Sequence, residues 1–211
     1  MIFVKWIKKV TPKFDRKILF IQIPKTAGTS VNHVLSSNRK NLWKRNEQFN
    51  YHDPLFVLER NNPELKLLNP FIFSIVRNPY DRIFSCYKHF NYRNKENISF
   101  DQYLEICSKR HNDTNQGDIN FWKTPMIFFP QSLFLYDVTG KLKKDNIYKF
   151  ENLSKLERKI SQILKRKIKF PRLNCQSTLN YRHHYTHDNI KTVRELYGID
   201  FENFGYSTEF L

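Results

Sequence analysis

Two short apolar runs, each ending abruptly in a polar turn, organise the hydrophobic pattern of this 211-residue chain. Residues 18–23 are apolar except for Gln22, rich in β-branched side chains and too few for a helix. They predict a buried strand that Pro24 stops. From Gly28 the pattern turns helical, with Val31, Val34 and Leu35 on one face. Residues 71–76 predict a second strand, after which Asn78 as N-cap and Pro79 in the first helical position predict a helix. Further along, the spacing predicts a short helix around residues 54–60 and a helix over 100–110 with Phe100, Tyr103, Leu104 and Cys107 on one face. Short strands are expected at 132–136 and 146–150, separated by the Thr139-Gly140 turn, then a helix over 153–165. A last helix over 187–197 is capped by Asp188 or Asn189 and ended by Gly198. Residues 38–69 form a polar, aromatic connection and 112–117 a surface loop. The alternation predicts one α/β domain over residues 1–211, a central parallel sheet flanked by helices. Ligands then gather at the strand C-termini.

Both apolar runs lead into anion chemistry. After the first comes Pro24-Lys-Thr-Ala-Gly-Thr-Ser30. Peptide N–H groups at Gly28, Thr29 and Ser30 lie unpaired at a helix N-terminus, and such groups bind oxyanions. Gly28 lets the backbone approach a ligand closely, Thr29 and Ser30 add hydroxyls, and Lys25 brings a mobile positive charge. The Walker pattern is absent, because here the Lys comes first and a single Gly follows three residues later. After the second run comes Arg77-Asn-Pro-Tyr-Asp-Arg-Ile-Phe-Ser-Cys-Tyr87. Arg77 stands at a strand end and Ser85 within the next helix, both able to face one anion; a guanidinium grips two phosphate oxygens at once. Read singly, Lys25 is a solvated lysine, Arg77 a structural partner of Asp81, and Ser85 a helix filler. Arg82 either supports the phosphate or points outward.

Together, at this spacing, the two motifs resemble those of the sulfotransferases that use 3′-phosphoadenosine-5′-phosphosulfate (PAPS). The similarity is greatest to carbohydrate enzymes of the heparan-sulfate 2-O type, in a short bacterial or viral form. The resemblance implies that Lys25, Thr26, Ala27, Gly28, Thr29 and Ser30 hold the 5′-phosphosulfate, and that Arg77 and Ser85 hold the 3′-phosphate. It extends through Pro130-Gln-Ser-Leu-Phe-Leu135, Phe150-Glu-Asn-Leu153, Arg172-Leu-Asn-Cys175 and Asp200-Phe-Glu-Asn-Phe-Gly-Tyr206, with specificity falling after Tyr87. Arg172, with Asn174 and Ser177 nearby, is a looser match to a basic stretch that reaches the donor phosphate. Gln131 either hydrogen-bonds a sugar or ends a loop.

Composition agrees without choosing. Lys and Arg number 36 against 20 Asp and Glu, a formal net charge of +16. That suits an anionic donor and an acidic polysaccharide acceptor, but equally nucleic acid. No zinc-finger spacing or ribonucleoprotein motif is present, and the run at 165–169 is expected to end a helix and cover its dipole. The three cysteines, Cys86, Cys107 and Cys175, imply neither a disulfide framework nor a CxxC metal site, and read as thiols in a reducing compartment. The first ten residues are basic and amphipathic with too short an apolar core for a signal peptide or a membrane span. A cytoplasmic protein is expected, with Phe3, Trp6 and Ile7 suited to a peripheral membrane contact.

Sulfuryl transfer to an alcohol needs a base for the hydroxyl proton and charge stabilisation on the leaving phosphate. Lys25 suits the second task. No metal is expected, since a sulfuryl group carries less charge than a phosphoryl group. Among seven histidines, His52 is the candidate base, because the resemblance places a catalytic His between the two donor motifs. Asp53 is adjacent without implying a dyad. His33 is expected to face away from the site and His89 to pack on the helix after Arg77. His183, His184 and His187, with Tyr181 and Tyr185, match no zinc signature and read as a solvated loop. Trp43, Tyr51, Tyr92 and Trp122 are sugar-stacking candidates or core. The resulting expectation is transfer of a sulfuryl group from PAPS to a carbohydrate hydroxyl, leaving adenosine 3′,5′-bisphosphate (PAP). Two alternatives remain: a kinase-like P-loop enzyme, which requires Mg²⁺, and a noncatalytic polyanion or nucleic-acid binding module.

Overall fold

The computed structural model describes residues 18–36, 52–115, 126–171 and 178–210. Phe3, Trp6, Ile7, Trp43, Tyr51, Trp122, Arg172, Asn174, Cys175 and Ser177 lie outside the described residues. Three parallel strands, β1 (Ile18–Ile21), β2 (Phe71–Val76) and β3 (Ile147–Lys149), form one sheet in that order. Ile18 pairs with Phe71, and Ser74 with Ile147. Parallel strands must be covered on both faces, and the alternation of side chains does this. Ile18, Phe20, Phe73 and Ile75 face one way, against Val31 and Leu35 of α1 (Gly28–Ser36) and Leu156 and Ile160 of α6 (Ser154–Leu164). Leu19, Ile21 and Val76 face the other, against Leu55 and Leu58 of α2 (Leu55–Asn61), Phe134 and Leu135. A four-residue turn, α3 (Leu65–Leu68), precedes β2.

A second, helical core adjoins the sheet. It packs α4 (Pro79–Asn94), α5 (Phe100–Asn115) and α7 (His187–Phe204) through Tyr80, Phe84, Tyr103, Val193, Tyr197 and Phe201. The start of α4 agrees with expectation: Pro79 is at the first turn and the Asn78 side chain accepts from the Tyr80 N–H at 3.0 Å. Cys86 and Cys107 are free and buried in this core.

Four expectations need correction. Residues 132–136 are no strand: Gln131–Leu135 is a 3₁₀ turn. The N–H groups of Gln131 and Ser132 donate to the Asp200 carboxylate at 2.7 and 2.8 Å, which fixes a helical turn start where a ladder partner would be needed. A short apolar run does not itself distinguish the two. The last helix does not stop at Gly198. It kinks at Tyr197 (φ −122°) and continues to Phe204, ending on Gly205 at φ 59°, because Asp200, Phe201 and Phe204 are buried and their packing overrides the low helix propensity of Gly198. Its cap is Thr186, in a capping box with Asn189, instead of Asp188 or Asn189. α5 also runs through residues 112–115, expected as loop.

Asp200 joins the two cores. It is fully buried and accepts from Gln131 N–H, Ser132 N–H and the Ser132 hydroxyl. The Gln131 side chain, also fully buried, then clamps the backbone of Arg77, accepting from its N–H and donating to its carbonyl, both at 2.9 Å. Gln131 is therefore a backbone clamp at the end of β2, and its sugar-binding alternative falls away. Asp200→Ala would strand buried donors on both residues, at a cost of about 3 kcal/mol. Urea unfolding should show a lower midpoint with an unchanged slope, and an unchanged midpoint would remove Asp200 from this role.

Candidate functional site

The chain leaving β1 turns twice against ordinary backbone preference. Lys25 has φ 67° and Ala27 φ 73°, left-handed conformations that L side chains rarely adopt. Such residues persist where surrounding structure holds them, and they cluster at ligand-binding loops. The holding groups are identifiable. The Thr26 hydroxyl donates to the Ile23 carbonyl at 2.9 Å, Arg82 Nε to the Pro24 carbonyl at 3.1 Å, and Arg77 Nη1 to the Lys25 carbonyl at 3.1 Å. With these carbonyls held inward, the loop ends at the N-terminus of α1, whose first N–H groups have no intrahelical acceptor. The structure brings Lys25, Thr26, Ala27, Gly28, Thr29 and Ser30 together there, Thr29 exposed and Ser30 5% exposed.

Gly28 has a reason that the sequence did not disclose. Its φ is ordinary, but a Cβ would meet the Gln22 side chain, with Nε2 at 2.5 Å and Cγ at 2.9 Å. Gln22 Oε1 is in turn fixed by the Asn32 side-chain amide at 2.7 Å. The close approach is between the loop and its own strand end, and the one polar residue of an apolar run was the signal for it.

Arg77 is 4% exposed and largely committed. Its Nε and Nη2 make a fork on Asp81 at 2.7 and 2.9 Å, and its guanidinium lies 4.3 Å from the Phe150 ring centre. The structural partnership with Asp81 is therefore real, and of the five guanidinium hydrogens one remains on each terminal nitrogen. Ser85 is half-buried two turns along α4, and its hydroxyl makes no side-chain hydrogen bond among the described residues. Arg82 does not point outward. It is 1% exposed, spans the Pro24 and Phe129 carbonyls, and supports the loop from beneath.

Lys25 remains the half-buried cation of the loop. Burial lowers its ammonium below the ordinary lysine value; Cys86 opposes that shift and Arg77 reinforces it. His52 comes to the same loop. Its Nδ1 lies 2.8 Å from the Gln22 carbonyl. A carbonyl can only accept, so Nδ1 carries the proton and the neutral ring keeps its lone pair on Nε2, the tautomer a base requires. Asp53 is fully buried beside it in sequence.

The other histidines separate. His33 is exposed on α1, as expected. His183, His184 and His187 are exposed, His184 stacks on Phe84 at 4.6 Å, and no metal-ligating group of three is formed among the described residues. His89 packs on α4, as expected; it is half-buried on the helix face that Ser85 shares, and Lys25, Arg93 and His52 all act on its charge.

Two neighbouring parallel strands thus end side by side, one leading through a left-handed loop into a helix N-terminus and the other carrying a forked arginine. The sulfotransferase family model matches residues 10–207, and the chain belongs to that family. No curated protein and no solved structure gives a match. No helix among the described residues is long and apolar enough to cross a membrane.

Gly28→Ala should displace Gln22 and cost about 1–3 kcal/mol, the range for overpacking. In Gln22→Ala the space is open, so the same glycine substitution should then cost much less. A double-mutant cycle by chemical denaturation reads the coupling, and additive costs would overturn this account of Gly28.

Proposed function

We propose that this sulfotransferase takes its sulfuryl group from PAPS and passes it to a hydroxyl, most suitably on a carbohydrate. The observation that carries the reading is the loop from Lys25 to Gly28, two left-handed residues held by buried arginines and opening onto a helix N-terminus. The donor set fits the cofactor: backbone N–H groups, hydroxyls and a half-buried ammonium suit a 5′-phosphosulfate, and the remaining Arg77 hydrogens with the Ser85 hydroxyl suit a terminal 3′-phosphate. Arg172 is a further candidate for that end of the donor. When bound, the donor supplies an activated sulfuryl group on a phosphate leaving group.

The residues divide the work by charge. Lys25 stabilises the negative charge that develops on the departing phosphate oxygen. His52 Nε2 takes the acceptor hydroxyl proton as the oxygen bonds to sulfur and the sulfur–phosphate oxygen bond breaks. The Gln22 carbonyl keeps the imidazole oriented and stabilises the imidazolium that results. Asp81 orients Arg77 and Arg82 holds the loop; neither needs to touch the substrate. The basic surface implied by a net charge of +16 favours an acidic polysaccharide as acceptor.

Calorimetric binding of PAP, AMP and ATP with Mg²⁺ tests the donor. PAP should be preferred, and Arg77→Ala should lose more affinity for PAP than for AMP. Equal losses would sink the 3′-phosphate role, and preference for ATP with Mg²⁺ would turn the reading to a kinase. His52→Ala should lower turnover about 10²–10⁴-fold with donor affinity nearly intact. Unchanged turnover would move the base elsewhere.

A further inference from the structure

On α4, Asp81, Ser85, His89 and Arg93 recur every fourth residue and so form one stripe along the helix. The start of this stripe is tied to the oxyanion loop, because Asp81 holds the Arg77 fork and Arg77 holds the Lys25 carbonyl. The far side of the same loop is tied to His52 through Gln22. His89 lies one turn beyond Ser85 and is half-buried. Among the described residues, the charged and titratable groups acting on it are Lys25 from the loop, Arg93 from its own helix and His52 from the segment before α2.

We propose that His89 belongs to the site that takes the phosphate end of the donor, binding the anion through an imidazolium that forms as the anion arrives. The inference rests on the donor reading above. Burial lowers His89 below the ordinary histidine value, and Lys25, Arg93 and His52 each push it further down. Without an anion, burial and the neighbouring Lys25 and Arg93 thus favour the neutral imidazole. An anion entering beside Lys25 reverses the local potential and raises the histidine, so binding takes up a proton. The sign follows: affinity for PAP rises as pH falls through the His89 value of the complex, and levels off below that of the free protein. The same linkage makes PAP leave more readily at higher pH.

PAP binding to the whole chain, measured by calorimetry from about pH 6 to about pH 9, reads this directly; one linked proton changes affinity by up to about tenfold per pH unit. His89→Asn should flatten the wild-type rise towards acid pH, leaving the slope due to the phosphate itself. His89→Lys, permanently charged, should keep alkaline-side affinity at or above wild type. Independently of any substitution, NMR of the wild-type imidazole should show His89 titrating below the ordinary value and moving up when PAP is added. Parallel pH curves for wild type and His89→Asn, or a His89 titration that PAP does not move, would overturn the inference while the donor reading stands. A wild type that binds PAP no better than AMP would overturn both together.

Discussion

The Asp200 carboxylate is the constraint on which the rest of the structure depends. It is fully buried, and burial raises its pKa against the opposing pull of Arg82 and three hydrogen bonds. A charge in that position is tolerable only with its acceptor capacity filled. Filling it from Gln131 and Ser132 fixes the turn after Phe129 and attaches α7 to the sheet edge. Gln131 then clamps the Arg77 backbone, so the end of β2 has no freedom to drift. Arg82 completes the arrangement from the opposite sign, bridging the Phe129 carbonyl to the Pro24 carbonyl. The anion loop is thus positioned by a polar chain in the interior, and its own sequence contributes only the last step.

This explains how two arginines close together serve different ends from lysine. Arg82 is 1% exposed and Arg77 4%, and both guanidinium groups are pinned by backbone carbonyls or by Asp81, with one hydrogen left on each terminal nitrogen of Arg77. Planar forks of this kind are good fixtures, since their geometry is preset and they stay charged at any working pH. Lys25 is only half-buried and sits on a flexible stem, so it can follow charge that appears on a leaving atom. Its lowered pKa reflects the same compromise, because a cation available to a ligand must first be kept partly dry. Rigid cations hold the loop, and the proposed reading gives the mobile one to the chemistry.

Strands and the helices after them were legible because each combined an uninterrupted apolar run with a local stop signal, Pro24 in one case and Asn78-Pro79 in the other. The turn between the first strand and its helix was legible for the same reason: its proline, lysine, glycine and helix start are contiguous. Gln131, Asp200 and Arg82 were not, since their partners lie 47 to 69 residues away and no local pattern distinguishes a buried clamp from a surface polar residue. The contact of Gly28 with Gln22 was not legible, because a close approach to a side chain looks, in sequence, like a close approach to a ligand. Gly198 was overvalued as a stop because the apolar face beyond it, Phe201 and Phe204, outweighs one poor helix former.

Net charge and site geometry answer different questions about an anionic ligand. A formal charge of +16 attracts any polyanion, and that attraction is long-range, screened by salt and blind to chemistry. Selection has to come from groups whose positions do not adapt. In the proposed reading those are the backbone N–H groups behind Gly28, the two hydrogens left on a pinned guanidinium, and an imidazole whose tautomer is imposed by the Gln22 carbonyl. Each depends on a buried neighbour that never meets the ligand. A surface patch of equal charge has no such neighbours, and would bind nucleic acid and acidic polysaccharide alike. On the proposed reading, the interior polar chain from Asp200 to Lys25 is what separates a group-transfer site from a merely basic surface.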